Sequence, residues 1–539
     1  MTALALIVLA LYTHTILASS FGHSSQPVVV KTPAGTVAGR SDGSVDQFLG
    51  LRFGAPPVRF NPPQPASGWE GTYDASHYRS ACIQKFSYPE DARERAMRWF
   101  NTPPPPGEEG EDCLFLNVYA PAGAEPGSKA VMFWIYGGGF SFGSGSISQY
   151  DGTSFARDQD VVIVTINYRT NVFGFPGSPE KPKSEQNLGL LDQRLALDWV
   201  RNNIRHFGGN PDLVTIFGES AGSGSVEILV TNPPEPVPYA AAIMSSGVGS
   251  VSLPSTASAR SWQKLIRAAK CDTQNALDCI RALPAKELKD IVEHEQLTFF
   301  PIYDGVTWTG TGRIDRLEST SKDSVISRVP LLIGSNADDG GVFVYGLTDA
   351  RTVVGKLLPK RLADQVDKYI NTYASFGIIA RVLGRFNPLL STFVTEYSFQ
   401  CPSKLVAEES VKVGIPAWRY FYDAGFANSA IDYKGSGAAH SSEISIVFGT
   451  YSRNDSTPFQ VELSKGMQKM WADFAKNPHR GPGWAQAPLL SHLGAGVRAG
   501  GRQGEGEPIM RVVKPGRIDA RCRLFTPIYN AAMRTLARN

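Results

Sequence analysis

Residues 213–222 read LVTIFGESAG, so Gly218-Glu219-Ser220-Ala221-Gly222 is a G-x-S-x-G pentad directly behind an apolar, β-branched run. A serine hydroxyl attacks a carbonyl only if it is lifted clear of the backbone that carries it. A sharp strand-to-helix turn does this, and flanking glycines remove side chains that would clash in so tight a bend. The same turn aims the N–H of Ala221 into the site and sets a helix N-terminus beneath a developing anion. The pentad alone is a common pattern, and its place behind a strand makes it specific. The chemistry it predicts is nucleophilic acyl transfer through Ser220.

A second glycine cluster, Gly137-Gly138-Gly139-Phe140, follows the strand-like run VMFWIY. Three glycines let adjacent N–H groups face one oxygen without obstruction, and with Ala221 they would make a three-donor oxyanion hole. The chain has no G-x-G-x-x-G or G-K-[ST] at this turn, which argues against nucleotide binding there. A base and an acid should follow the serine in the order Ser, Asp/Glu, His. Of the eight histidines, His440 lies in the small-residue loop GSGAAHSSE before an apolar run, and its order and context favour it as the base. His294, His479 and His492 read as surface residues. For the acid, IGSNADDGG follows another strand-like run and offers both Asp338 and Asp339, between which spacing does not choose.

These residues need a scaffold. Residues 115–121, 131–138, 161–168, 213–218, 239–247, 329–336 and 418–425 read as strands, and 161–168 has the continuous apolar character of a strand buried on both faces. Residues 190–207 have helical spacing, with Leu191, Leu195, Leu197, Trp199 and Ile204 on one stripe, and the 208–211 Gly-Gly-Asn-Pro break ends it. Strands alternating with helices predict an α/β fold, a large mostly parallel sheet flanked by helices. Residues 262–300 and 350–412 read as helical insertions that cap the sheet. Residues 61–112 read as irregular, with a proline run at 103–106.

The chain has 539 residues, long enough for a large core without metal or disulfide support. Its 53 basic and 50 acidic residues give a net charge of +3, which offers no reason to expect nucleic-acid binding. Residues 1–20 are apolar and uncharged, too short to span a bilayer, and end in the small residues Ala18, Ser19 and Ser20. They read as a signal peptide, leaving 21–539 as one domain. No other stretch predicts a membrane span, and the polar C-terminus predicts no lipid anchor. An even count of six cysteines behind a signal peptide suggests three disulfides among 15 possible pairings. No Cys/His cluster has zinc-ligand spacing. Asn454 heads the sequon Asn454-Asp455-Ser456 and is a candidate glycosylation site of a secreted chain.

With these residues in hand, the chain resembles the type-B carboxylesterase/lipase family of the α/β-hydrolase fold. FGGNPDLVTIFGESAG (207–222) and EDCLFLNVY (111–119) match its two signatures. Collinear smaller matches include GLRFGAPPVRFNPP, YGGGF, NYRTNVFGF, NLGLLDQRLALDWV, DGVTW and HSSEISIVFG. The resemblance implies Ser220 as nucleophile, His440 as base, and Gly138, Gly139 and Ala221 as oxyanion donors. It places the acid immediately before a glycine, hence Asp339 before Gly340, although the family usually has Glu there. It implies the bridges Cys82–Cys113, Cys271–Cys279 and Cys401–Cys522, and it requires no metal or organic cofactor. The implied substrate is a small-molecule or lipid ester. The loop between Cys82 and Cys113 is a lid in lipases of this family and carries a choline-binding aromatic in cholinesterases, for which Trp99 and Phe100 are the candidates. Its charged stretch 91–100 reads as a polar flap, which favours a carboxylesterase over a long-chain lipase. A transesterase with the same triad and a non-catalytic binding protein are the remaining alternatives.

Overall fold

Each of the seven runs read as strands yields one, and together they form the middle of a 13-stranded sheet. The computed structural model describes residues 26–101, 104–248, 257–271, 274–347, 388–501 and 504–536. The predicted signal peptide and the stretch 350–387 of the predicted helical cap lie outside these residues. The strands along the sheet are β1 (Gln26–Thr32), β2 (Gly35–Ser41), β3 (Val45–Arg52), β4 (Phe115–Pro121), β5 (Lys129–Ile135) and β6 (Val162–Ile166). They continue with β7 (Gly209–Glu219), β8 (Ala241–Ser245), β9 (Leu331–Asn336), β10 (Ala417–Ala424), β11 (Leu490–Val497) and β12 (Met510–Val513). The short strand Thr72–Asp74 adds to β2.

The spatial order is β1-β2-β3-β4-β6-β5-β7-β8-β9-β10-β11-β12. From β6 to β11 every neighbouring pair is parallel. Both margins are antiparallel. At the β1–β2 connection only Pro33 and Ala34 lie between the strands, and so short a turn cannot supply a parallel crossover. β6, β8 and β9 expose no residue, which is why their sequences are mainly apolar rather than alternating.

Helices cover both faces. Successive residues of a strand point to opposite sides. Phe217 packs against Trp134 and Phe448 on the side of helix Pro458–Lys476, whereas Gly218 faces helix Ala221–Thr231. Helix Leu188–Asn203 forms where predicted, but its buried face differs from the predicted stripe. Leu188, Leu190, Ala196, Leu197 and Val200 are buried together with Asp192 and Gln193, while Leu191, Leu195 and Trp199 are only half-buried. Part of the buried face is an ion pair. Asp192 receives the backbone N–H and guanidinium of Arg169, so a carboxylate takes a place that an apolar count does not reveal.

Three other elements are hidden by composition. Residues 61–112 are not uniformly irregular, because Glu90–Phe100 is an 11-residue helix. Only Trp99 of this helix is buried, so it has no apolar stripe to recognise. Strands β11 and β12 also lie outside the seven predicted runs; glycines at 494 and 496 interrupt the apolar pattern of β11. On β11, His492 is not a surface residue but faces Asp423 at 3.1 Å, on the neighbouring strand. Sulfur–sulfur bonds join Cys82 to Cys113, Cys271 to Cys279 and Cys401 to Cys522, and no cysteine is free. Among the described residues no helix is long and apolar enough to cross a membrane.

Candidate active site

Strand β7 ends at Glu219, and Ser220 then takes φ 56° and ψ −122°, a conformation that non-glycine residues rarely adopt. Helix Ala221–Thr231 begins at the next residue. The turn is held by Ser220 N–H donating to Ser245 O at 2.9 Å and by Gly224 N–H donating to Ser220 O at 2.9 Å. It also explains the flanking glycines. A Cβ on Gly218 would lie 2.5 Å from the carbonyl carbon of Gly222, and one on Gly222 would lie 2.0 Å from Ile135 O.

The glycine cluster at the end of β5 lies directly beside this turn. A Cβ on Gly137 would come within 2.9 Å of Ser220 Cβ. Gly138 and Gly139 have φ of 93° and 59°, a region that costs glycine little. The N–H groups of Gly138, Gly139 and Ala221 donate to no protein acceptor among the described residues. Gly138 and Gly139 line the same cavity as Ser220, and Ala221 follows it in the chain, so three unengaged donors belong to residues around one serine.

The two aspartates differ in what they touch. Asp339 Oδ1 lies 2.8 Å from His440 Nδ1, and its Oδ2 accepts from Asn336 N–H at 2.8 Å and Ser246 Oγ at 3.0 Å. Asp338 points elsewhere, accepting from Ala438 N–H at 2.9 Å and lying 3.4 Å from the Arg498 guanidinium. The β-bridge between Asp338 and Ala439 draws the histidine loop to the end of β9. Asp339 and His440 are buried. The rings of Phe343 and Phe399 flank the imidazole, with centroids 4.9 and 4.8 Å away.

Sequence reasoning missed two carboxyl groups at this site. Glu219 Oε1 lies 3.1 Å from His440 Nε2, off the line of a hydrogen bond, and accepts from Ser441 Oγ at 2.7 Å. His440 Nε2 makes no hydrogen bond to Ser220 Oγ or to any other described group. Glu443 is buried nearby and accepts from Asn336 Nδ2 at 2.5 Å. Glu219 stood in view inside the pentad, next to Ser220, but spacing says nothing about which side chain will face an imidazole some 220 residues later. Burial pushes the pKa of Glu219 up, against the pull of His440 and Ser441. Burial likewise raises Glu443, and the charge of Glu219 adds to the rise. Burial would lower His440, but Glu219, Asp339 and Glu443 outweigh it and hold the imidazole above its ordinary pKa.

Above Ser220 lies a cavity of about 340 Å³, roofed by helix Glu90–Phe100. Trp99 and Phe100 both line it, as do Lys85, Arg95, Phe343 and His440. Trp99 is anchored by its Nε1–H to Asp432 at 3.0 Å, and the Arg95 guanidinium lies 5.8 Å from its ring. Among the described residues no group of three or more His, Cys, Asp or Glu side chains is placed to hold a metal ion.

Residues 26–488 match the family model described as the carboxylesterase family. The chain belongs to the carboxylesterase family. It is 31% identical to a cholinesterase of Mus musculus over 498 residues, covering 86% of this chain and 81% of that one. It is 33% identical to an acetylcholinesterase of Electrophorus electricus over 493 residues, 80% and 76% of the two chains. A fumonisin B1 esterase of Sphingopyxis macrogoltabida is 30% identical over 525 residues, 90% and 88% of the two chains. Among solved structures, a PNB esterase superposes with a TM-score of 0.73 at 28% identity, covering 92% of this chain and 99% of that one. The carboxylesterase accordingly has the α/β-hydrolase fold, and its activity class is serine carboxylic-ester hydrolysis.

Proposed function

We propose that this carboxylesterase hydrolyses small esters through an acyl-enzyme on Ser220, with His440 as base and Asp339 as the acid that orients it. The observation that carries the reading is the buried 2.8 Å contact of Asp339 with His440 Nδ1, at a site where a strained serine adjoins three unengaged N–H groups. In attack, Nε2 faces Ser220 Oγ in place of the Glu219 carboxylate and takes its proton. The N–H groups of Gly138, Gly139 and Ala221 receive the carbonyl oxygen as it becomes an anion, each worth roughly 10²–10³ in rate. His440 then protonates the leaving alkoxide, and water repeats the cycle to release the acid. Asp339 fixes the tautomer and stabilises the imidazolium.

The cavity of about 340 Å³ is near the lower end of ligand pockets, which span roughly 300–1,000 Å³. With the charged helix Glu90–Phe100 as its roof, it supports short acyl chains over the long chains of a lipase. The test is a panel of p-nitrophenyl esters from acetyl to palmitoyl, with a fluorophosphonate probe and peptide mass spectrometry. A short-chain optimum and modification at Ser220 are expected. A long-chain optimum sharpened by an interface would replace this reading with a lipase, and labelling at another serine would refute it. The same panel with an added alcohol separates a transesterase, whose turnover would depend on that acceptor.

Export through residues 1–20 is part of the proposal. Three disulfides suit an oxidising compartment, and Asn454 is exposed, as an N-glycosylated residue must be.

Glu219 provides a pH signature. Its negative charge favours the protonated imidazole, so Glu219→Gln should lower the pKa of His440. Because the base must be neutral to act, the acidic limb of kcat/KM should move to lower pH. A limb that stays in place or moves upward in a pH–rate profile would exclude a charged Glu219 beside the base.

A further inference from the structure

The cavity over Ser220 is lined by two cations, Lys85 and Arg95, and by one carboxylate, Glu219. That carboxylate is turned to His440 and Ser441. Lys85 belongs to a segment fastened to the glycine loop of the proposed oxyanion hole. Gln84 Oε1 accepts Gly143 N–H at 2.8 Å, Lys85 N–H donates to Ser141 O at 2.9 Å, and Phe86 stacks on Phe142 at 5.1 Å. The backbone of Lys85 is therefore fixed relative to Gly138 and Gly139, and its side chain reaches the cavity from a rigid base.

Lys85 is half-buried, yet its ammonium makes no ion pair or hydrogen bond among the described residues. Its acidic neighbour is Glu293, which is already engaged by Phe86 N–H at 2.9 Å and lies 3.6 Å from Arg93. A partly desolvated ammonium without a partner costs stability unless something supplies an anion. Burial depresses its pKa, a penalty that a bound anion would offset. Arg95 projects from helix Glu90–Phe100, its guanidinium 5.4 Å from the Tyr345 ring and 5.8 Å from the Trp99 ring. Its carboxylate neighbour, Asp91, is 3.9 Å away and largely in solvent, where such a contact is weak. The aromatic cavity wall thus already has a cation of its own. A quaternary ammonium ester would meet repulsion from Arg95 and Lys85, where an anion would find two donors.

We propose that the preferred substrates of this carboxylesterase are esters carrying a carboxylate, and that Lys85 and Arg95 bind that group while Ser220 attacks the ester. The inference rests on the reading of Ser220 as nucleophile. No bond to the carboxylate forms or breaks; on the acyl side it is held as a salt bridge through both chemical steps, and on the leaving side it is held through acylation and departs with the alcohol.

The test compares matched esters with the full chain. Monomethyl glutarate against dimethyl glutarate places the charge on the acyl side. Para-acetoxybenzoate against its methyl ester places it on the leaving side. In at least one pair the anion should have the higher kcat/KM, and the pair showing it identifies the side bound. Lys85→Met and Arg95→Met should each lower the anionic-to-neutral ratio of kcat/KM by about tenfold, mainly through KM, the size of one charge-assisted hydrogen bond. Lys85→Arg should retain the ratio, and Lys85→Glu should raise turnover of a choline ester relative to the neutral one. The proposal is overturned if the parent prefers neutral or choline esters in both pairs, or if the methionine variants lower both members equally. Neutral esters turned over without anionic preference would sink this inference and leave the esterase reading standing. A parent inert toward every ester would overturn both.

Discussion

Replacing Ser220 with alanine is expected to lower kcat on p-nitrophenyl acetate by on the order of 10⁶-fold, as loss of a serine nucleophile does elsewhere. The fold should be preserved, because Ser220 is tied into the turn by its backbone N–H and carbonyl. Alanine keeps both, and it adds no atom to a turn where Gly137, Gly218 and Gly222 leave no room. Activity should not reach the water rate. The donors at Gly138, Gly139 and Ala221 remain, and such a hole with binding alone still gives roughly 10³–10⁴ over water. Initial rates and circular dichroism on the purified variant decide the matter. A variant that retains even a tenth of parental kcat would mean that the nucleophile is another group.

Asp192→Ala is expected to destabilise the fold by about 3–5 kcal/mol, far more than the loss of a solvent-exposed ion pair. Asp192 accepts Arg169 N–H at 2.9 Å, Nε at 2.9 Å and Nη2 at 2.7 Å, and both side chains are almost wholly buried. Truncation leaves a guanidinium inside the protein with its chief partner gone. The damage spreads because Arg169 Nη1 also donates to Asn61 O at 2.8 Å. Three segments are joined at this point, the FNPP turn, the stretch after β6 and the start of helix Leu188–Asn203. By contrast, Arg52 and Asp112 are comparably close at 2.6 Å but reach solvent, and Asp112→Ala should cost less than about 1 kcal/mol. Urea unfolding of the two variants gives the comparison. A cost below about 1 kcal/mol for Asp192→Ala would show that water or rearrangement satisfies Arg169.

What depends on neighbours along the chain is legible in the residues alone. Buried strands advertise themselves as apolar runs, as at 161–168, because both faces must leave water. The serine turn is legible because tight backbone geometry demands glycine at fixed offsets, and Gly218 and Gly222 have no space for a Cβ. Helix Glu90–Phe100 was not legible, since its single buried side chain, Trp99, leaves no periodicity to detect. Which aspartate meets His440 depends on a contact across 101 residues, set where the Asp338–Ala439 bridge ties the histidine loop to the end of β9. Only the packed fold brings Glu219 to the imidazole and sets Lys85 and Arg95 around the cavity over Ser220. The physical reason is that spacing encodes the direction a side chain takes from its own backbone, whereas a site is made by the order in which strands lie side by side. That order follows from burying the whole sheet at once, and no single segment contains it.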